Sequence, residues 1–159
     1  MTHDPQLARL GLFDARVPRY TSYLTAPHFG TETGASQFIE WIEALPEHSA
    51  VSLYIHVPFC RRLCWFCACR TQGTTSDEPV VAYVETLKAE IALLRRHLPK
   101  GITLSRLHWG GGTPTLLSAD QMRSLADAIF AVAPMAENGE FSVEIDPNLH
   151  ALAAERLAG

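Results

Sequence analysis

Charge is scarce in this chain, and cysteine is missing from nearly all of it. Asp, Glu, Lys and Arg make up 19% of the 159 residues and leave a formal charge of −4. No basic run or stripe occurs, which sets nucleic-acid binding aside. No stretch of about eighteen consecutive apolar residues occurs, so no membrane-spanning helix is expected. The first residues, Met-Thr-His-Asp, lack an apolar signal core, and a cytoplasmic location is expected. In a reducing compartment, structural disulfides are not expected either. Disorder is also disfavoured, because 47% of the residues are hydrophobic and one ordinary domain can be packed from them.

All four cysteines stand between positions 60 and 69. They lie in Tyr54-Ile-His-Val-Pro-Phe-Cys60-Arg-Arg-Leu-Cys64-Trp-Phe-Cys67-Ala-Cys69. Cys60, Cys64 and Cys67 have C-x3-C-x2-C spacing. Three thiolates on one short loop can hold three corners of a cubane iron–sulfur cluster. The fourth iron then has no protein ligand and is free to bind a small molecule. Two other uses of these side chains stay open. His56, Cys64, Cys67 and Cys69 can be arranged as a zinc site, although a second ligand pair downstream is missing. Cys64 and Cys67 can form a thiol-redox pair, which leaves Cys60 and Cys69 unexplained. Arg61 and Arg62 beside them are either solvated loop charges or an attraction for an acidic partner.

The rest of the chain reads as alternating strands and helices. Residues 1–48 form an N-terminal segment: an irregular stretch to about position 33, punctuated by Pro5, Pro18 and Pro27, and then a helix over about Ala35 to Leu45 that Pro46 ends. Trp41 of that helix is expected in the core. Val51 to Val57 alternates as a strand, with Leu53, Ile55 and Val57 on one face and Ser52, Tyr54 and His56 on the other. Both a structural and a functional role are open for His56. A Thr-, Gly- and Ser-rich loop from Arg70 to Glu78 precedes a long helix, Pro79 to Leu98. Its apolar stripe is Val80, Val84, Leu87, Ile91, Leu94 and Leu98. Thr103 to Trp109 is a second strand that runs into Gly110-Gly-Gly-Thr-Pro114, where bare glycine backbone can approach a ligand. Ser118-Ala-Asp-Gln121 is a capping box opening the next helix, with Met122, Leu125, Ala126 and Ile129 buried. Glu140 to Asp146 is a third strand, and a further helix starts near Asn148. Glu144 shares a face with Ser142 and Asp146, and a carboxylate on an inward face needs a partner.

This alternation predicts an α/β fold of parallel strands with outer helices over residues 49–159. Ligands in such sheets sit at the carboxyl ends of the strands. The cysteine loop, the glycine run and Glu144 all fall there.

The cysteine spacing directly after Tyr-Ile-His-Val-Pro-Phe resembles the radical S-adenosylmethionine enzymes. Cys69, two residues past the third ligand, and the segment Arg19-Tyr-Thr-Ser-Tyr23 narrow the resemblance to the oxygen-independent coproporphyrinogen III oxidase family. Leu24 departs from that family's usual proline. The resemblance implies that the chain is the N-terminal part of a partial (βα) barrel, with about three of six units, and that the piece alone is inactive. It implies a [4Fe-4S] cluster on Cys60, Cys64 and Cys67, with S-adenosyl-L-methionine as second cofactor. The family positions that contact that cofactor fall on Tyr54, Phe66, Gly111, Gly112, Thr113 and Glu144. The implied reaction turns two propionates of coproporphyrinogen III into vinyl groups, giving protoporphyrinogen IX, by a 5′-deoxyadenosyl radical. Implied partners are the porphyrinogen and a one-electron donor protein, with the enzyme acting as a monomer. A related radical haem chaperone or haem-utilisation protein is the competing implication. Cys69 and Arg19-Tyr-Thr-Ser-Tyr23 speak against the chaperone.

Overall fold

The structure is a computed structural model and describes residues 30–64, 67 and 69–146. The chain divides into two units, Met1–Ala35 and Ser36–Gly159. Only residues 30–35 of the first are described, and they are exposed. Arg19-Tyr-Thr-Ser-Tyr23, the expected cofactor aromatic Phe66 and the helix expected after Asn148 lie outside the described residues.

In the second unit, α1 (Ala35–Glu43) leads into β1 (Ala50–Val57) and a two-residue strand β2 (Phe59–Cys60). After the cysteine loop come a second two-residue strand β3 (Gln72–Gly73), α2 (Glu78–His97) and β4 (Thr103–Gly111). A 3-10 turn (Pro114–Leu116), α3 (Ala119–Phe130) and β5 (Met135–Val143) complete it. The main sheet is three-stranded, in the order β1-β4-β5. Both pairings are parallel, so α2 and α3 are the crossovers that parallel strands require. The expected α/β architecture of parallel strands with helices is present.

Period-two alternation decides the two faces of the sheet. Ile55, Val57, Leu107 and Trp109 are buried and face the helices. There they meet Val80, Val84, Leu87 and Ile91 of α2 and Met122, Leu125 and Ile129 of α3. Each such side chain taken fully from water contributes roughly 1.5–3 kcal/mol. The other face carries Tyr54, His108 and Ser142 in register, since Tyr54 pairs with His108 and His108 with Ser142. The capping box forms as expected: Ser118 Oγ accepts from Gln121 N–H at 3.2 Å, and Gln121 Oε1 accepts from Ser118 N–H at 2.8 Å.

Two expectations change, and one pairing is new. Trp41 is not core: its side chain is 55% exposed, because α1 turns Ile42 and Leu45 inward over an apolar cleft of about 180 Å³ instead. The cysteine loop is closed by β2 and β3, which pair in parallel, Phe59 with Gln72 and Cys60 with Gly73. Two-residue strands leave no periodic trace. Finally, β5 begins at Met135, not Glu140. Leu104 pairs with Met135 while Arg106 pairs with Glu140, so extra residues of β5 bulge out between the two pairs. Gly139 sits there because a Cβ would lie 2.8 Å from the Leu104 carbonyl oxygen. Among the described residues no helix is long and apolar enough to cross a membrane.

Candidate functional site

The carboxyl ends of β1, β4 and β5 lie side by side, and the predicted site residues that are described lie at or near them. Cys60 is the last residue of β2 and is buried, whereas Cys64, Cys67 and Cys69 are exposed. The loop between them is clasped at its base. Gln72 N–H donates to the Pro58 carbonyl at 2.7 Å and Thr74 N–H to the Cys60 carbonyl at 3.0 Å. Arg61 donates to the carbonyls of Thr74 and Ser76, both at 3.2 Å, and pairs with the Asp77 carboxylate. Arg61 is therefore a brace of the loop, not a free attractor of acidic partners.

His56 closes the far end. Its Nε2 lies 2.8 Å from the Arg70 carbonyl, which can only accept, so Nε2 carries the proton. In the neutral ring Nδ1 then accepts from the Tyr54 hydroxyl at 3.1 Å. With both nitrogens engaged, His56 ties β1 to the far end of the cysteine loop. Among the described residues no three His, Cys, Asp or Glu side chains stand grouped as a ready metal site. Neighbouring thiolates repel one another, and a bound metal is what draws such ligands together.

Two hydroxyls address the cysteine sulfurs. Thr113 Oγ1 donates to Cys60 Sγ at 3.6 Å, and Thr71 Oγ1 lies 3.7 Å from Cys67 Sγ. The Thr71 contact holds the Cys67 thiol below its ordinary value, because a hydrogen bond favours the thiolate. Charge on Cys67 pushes Cys69 upward.

The glycine run fits against the β1–β2 connection. Gly112 N–H donates to the Val57 carbonyl and Thr113 N–H to the Phe59 carbonyl, each at 2.8 Å. A Cβ on Gly112 would lie 2.5 Å from the Phe59 carbonyl oxygen. Gly111 has φ 108°, and a Cβ there would come within 2.6 Å of the His56 ring. Thr113 is buried, so its side chain serves Cys60, while Gly111 and Gly112 present backbone.

Glu144 follows directly on the last residue of β5 and is tied back to β4. Its backbone N–H donates to the Trp109 carbonyl at 2.8 Å. Oε2 accepts from Gly111 N–H at 3.0 Å, and Oε1 lies 3.3 Å from His108 Nε2. His108 Nδ1 is 2.7 Å from Ser142 Oγ. The Tyr54 and His108 rings stack at 5.5 Å with 17° between their planes. Partial burial, and then the Glu144 charge, push the Tyr54 phenol above its ordinary value. Sequence reasoning missed His108. The signal was the alternation of Arg106, His108 and Gly110 on the face that Tyr54 shares.

No protein-family model matches the chain. Among curated proteins it is 64% identical over 148 residues to the oxygen-independent coproporphyrinogen III oxidase of Paracoccus denitrificans, covering 93% of this chain and 33% of that protein. It is 38% identical over 144 residues to the Escherichia coli protein of the same name, covering 91% and 31%. A solved structure, described as coproporphyrinogen III oxidase from Escherichia coli and as a radical SAM enzyme, superposes with TM-score 0.75 at 31% identity, covering 96% of this chain and 34% of that one. The chain spans about a third of the length of the relatives it matches.

Proposed function

We propose, from its likeness to about a third of the length of oxygen-independent coproporphyrinogen III oxidases, that the chain carries the cofactor end of such an enzyme. The reaction is oxidative decarboxylation of two propionates of coproporphyrinogen III to vinyl groups. The division into an N-terminal segment, 1–48, and barrel units from 49 belongs to the same reading. So do the cytoplasmic location and the one-electron donor protein.

Cys60, Cys64 and Cys67 are the proposed ligands of a [4Fe-4S] cluster. Their chemistry fits: three thiols sit on one loop, clasped at its base, and hydroxyls of Thr113 and Thr71 approach Cys60 and Cys67. When bound, the cluster and S-adenosyl-L-methionine supply a one-electron route to hydrogen abstraction from the substrate. The chain's own part is to bind and orient. Tyr54 offers a half-exposed ring and Glu144 a half-exposed carboxylate on the polar face of the sheet. Gly111 and Gly112 let backbone approach closely, and Phe66 is proposed as an aromatic neighbour of the adenine. Cys69 has no assigned ligand role.

The observation that carries this reading is the bond from Gly111 N–H to Glu144. It locks the end of β5 to the glycine run beside the clasped cysteine loop. The test uses full-length protein, reconstituted anaerobically and supplied with reductant, S-adenosyl-L-methionine and coproporphyrinogen III. Carbon dioxide release and a vinyl product are expected. Tight haem binding without decarboxylation would overturn the reading in favour of a haem-handling relative. Bound zinc without a brown chromophore would overturn it altogether.

A further inference from the structure

We infer that His108 is a positioning residue for the bound S-adenosyl-L-methionine, acting by fixing the Glu144 carboxylate and the Tyr54 ring that contact it. The inference rests on the assignment of Tyr54 and Glu144 proposed above. His108 stands on the middle strand and reaches partners on both neighbours. Its ring stacks on Tyr54 of β1. Its Nδ1 meets Ser142 of β5, and its Nε2 meets Glu144 just beyond β5.

The proton placement follows from the partners. An ionised carboxylate only accepts, so Nε2 carries the hydrogen toward Glu144 Oε1. Nδ1 of the neutral ring then accepts from the Ser142 hydroxyl. Glu144 thus selects the tautomer, and the Ser142 hydroxyl, which can donate or accept, completes it by donating to Nδ1. Glu144 is held on both oxygens, Oε1 by His108 and Oε2 by Gly111 N–H. Its plane is fixed before any ligand arrives, and that saves ordering cost on binding.

A purely stabilising role fits poorly. The His108 and Glu144 side chains are 38% and 50% exposed, and a pair that open to solvent adds little to stability. Space around it is nonetheless reserved. A Cβ on Gly110 would lie 2.9 Å from both Glu144 Cδ and His108 Nε2. The sheet gives up a side chain at 110 and so leaves room for this pair.

The test uses the full-length, anaerobically reconstituted protein. Affinity for S-adenosyl-L-methionine is read from the change its binding makes in the electron paramagnetic resonance signal of the reduced cluster. His108→Ala is expected to weaken binding about tenfold, the loss of one hydrogen bond to a charged group, with iron content and unfolding midpoint unchanged. His108→Gln places an amide N–H where Nε2 was and is expected to restore affinity to within about threefold of the parent. His108→Asn reaches only the Nδ1 position and is expected to behave like alanine. Should His108→Ala not fold, the Gln and Asn variants decide between them, and equal affinities in the two overturn the inference. Parent-like binding by His108→Ala, alongside lost binding by Glu144→Ala, also overturns it and leaves the assignment of Glu144 standing. Parent-like binding by Glu144→Ala and Tyr54→Ala as well would remove that assignment and the inference with it.

Discussion

At the scale of single residues, the hydroxyl of Thr113 has the most specific consequence. It donates to the buried Cys60 sulfur, and donors to cluster sulfurs favour the more negative, reduced state. Thr113→Val in the full-length protein is therefore expected to lower the reduction potential of the proposed cluster by roughly 40 mV, the equivalent of one ordinary hydrogen bond in a one-electron couple. Thr113→Ser should keep the parent value. A potentiometric titration followed by electron paramagnetic resonance checks both. Cys67 and Cys69 are also distinguishable. The Cys67 thiol lies below its ordinary value and that of Cys69 above. As pH rises, cluster-free protein should form thiolate at Cys67 before Cys69, so iodoacetamide should label Cys67 first, as mass spectrometry would show. The cysteine spacing and Glu144 were legible in the sequence because their types are expensive or rare where they stand. The uses of Thr113 and His108 were not, because their partners lie 53 and 34 residues away in the chain.

At the scale of elements, the glycine run and the helix cap make opposite demands on sequence. Gly112→Ala drives a methyl against the Phe59 carbonyl, a backbone atom that cannot turn aside. A loss of about 1–3 kcal/mol is expected, measured by denaturant unfolding. Gly34→Ala meets nothing within 4 Å and should leave the midpoint unchanged. Ser118→Ala removes one half of the capping box at α3 and should lose about 1 kcal/mol in the same assay. The long helices were legible because α2 repeats an apolar stripe over 20 residues and α3 announces its own start. The beginning of β5 was hidden by its bulge, where Glu137, Asn138 and Gly139 interrupt the alternation that marks a strand. The pairing of β2 with β3 was hidden because each is only two residues long.

At the scale of the whole molecule, β4 is the strand paired on both sides, and β1 and β5 are the edges of the main sheet among the described residues. Amide hydrogen exchange should be slowest in β4. If the proposed cluster is bound, stripping it with a chelator should leave far-UV circular dichroism nearly unchanged, since the core under the helices contains none of the exposed cysteines. Proteolysis within residues 61–71 should then become the first cut. Three strands furnish one rim, and that rim has room for few arrangements. A methyl at 110 collides with the groups at 108 and 144, so across a lineage these three positions should drift as a block. An alanine at 110 is expected only where the imidazole and the carboxylate have swung aside or one of them has been replaced.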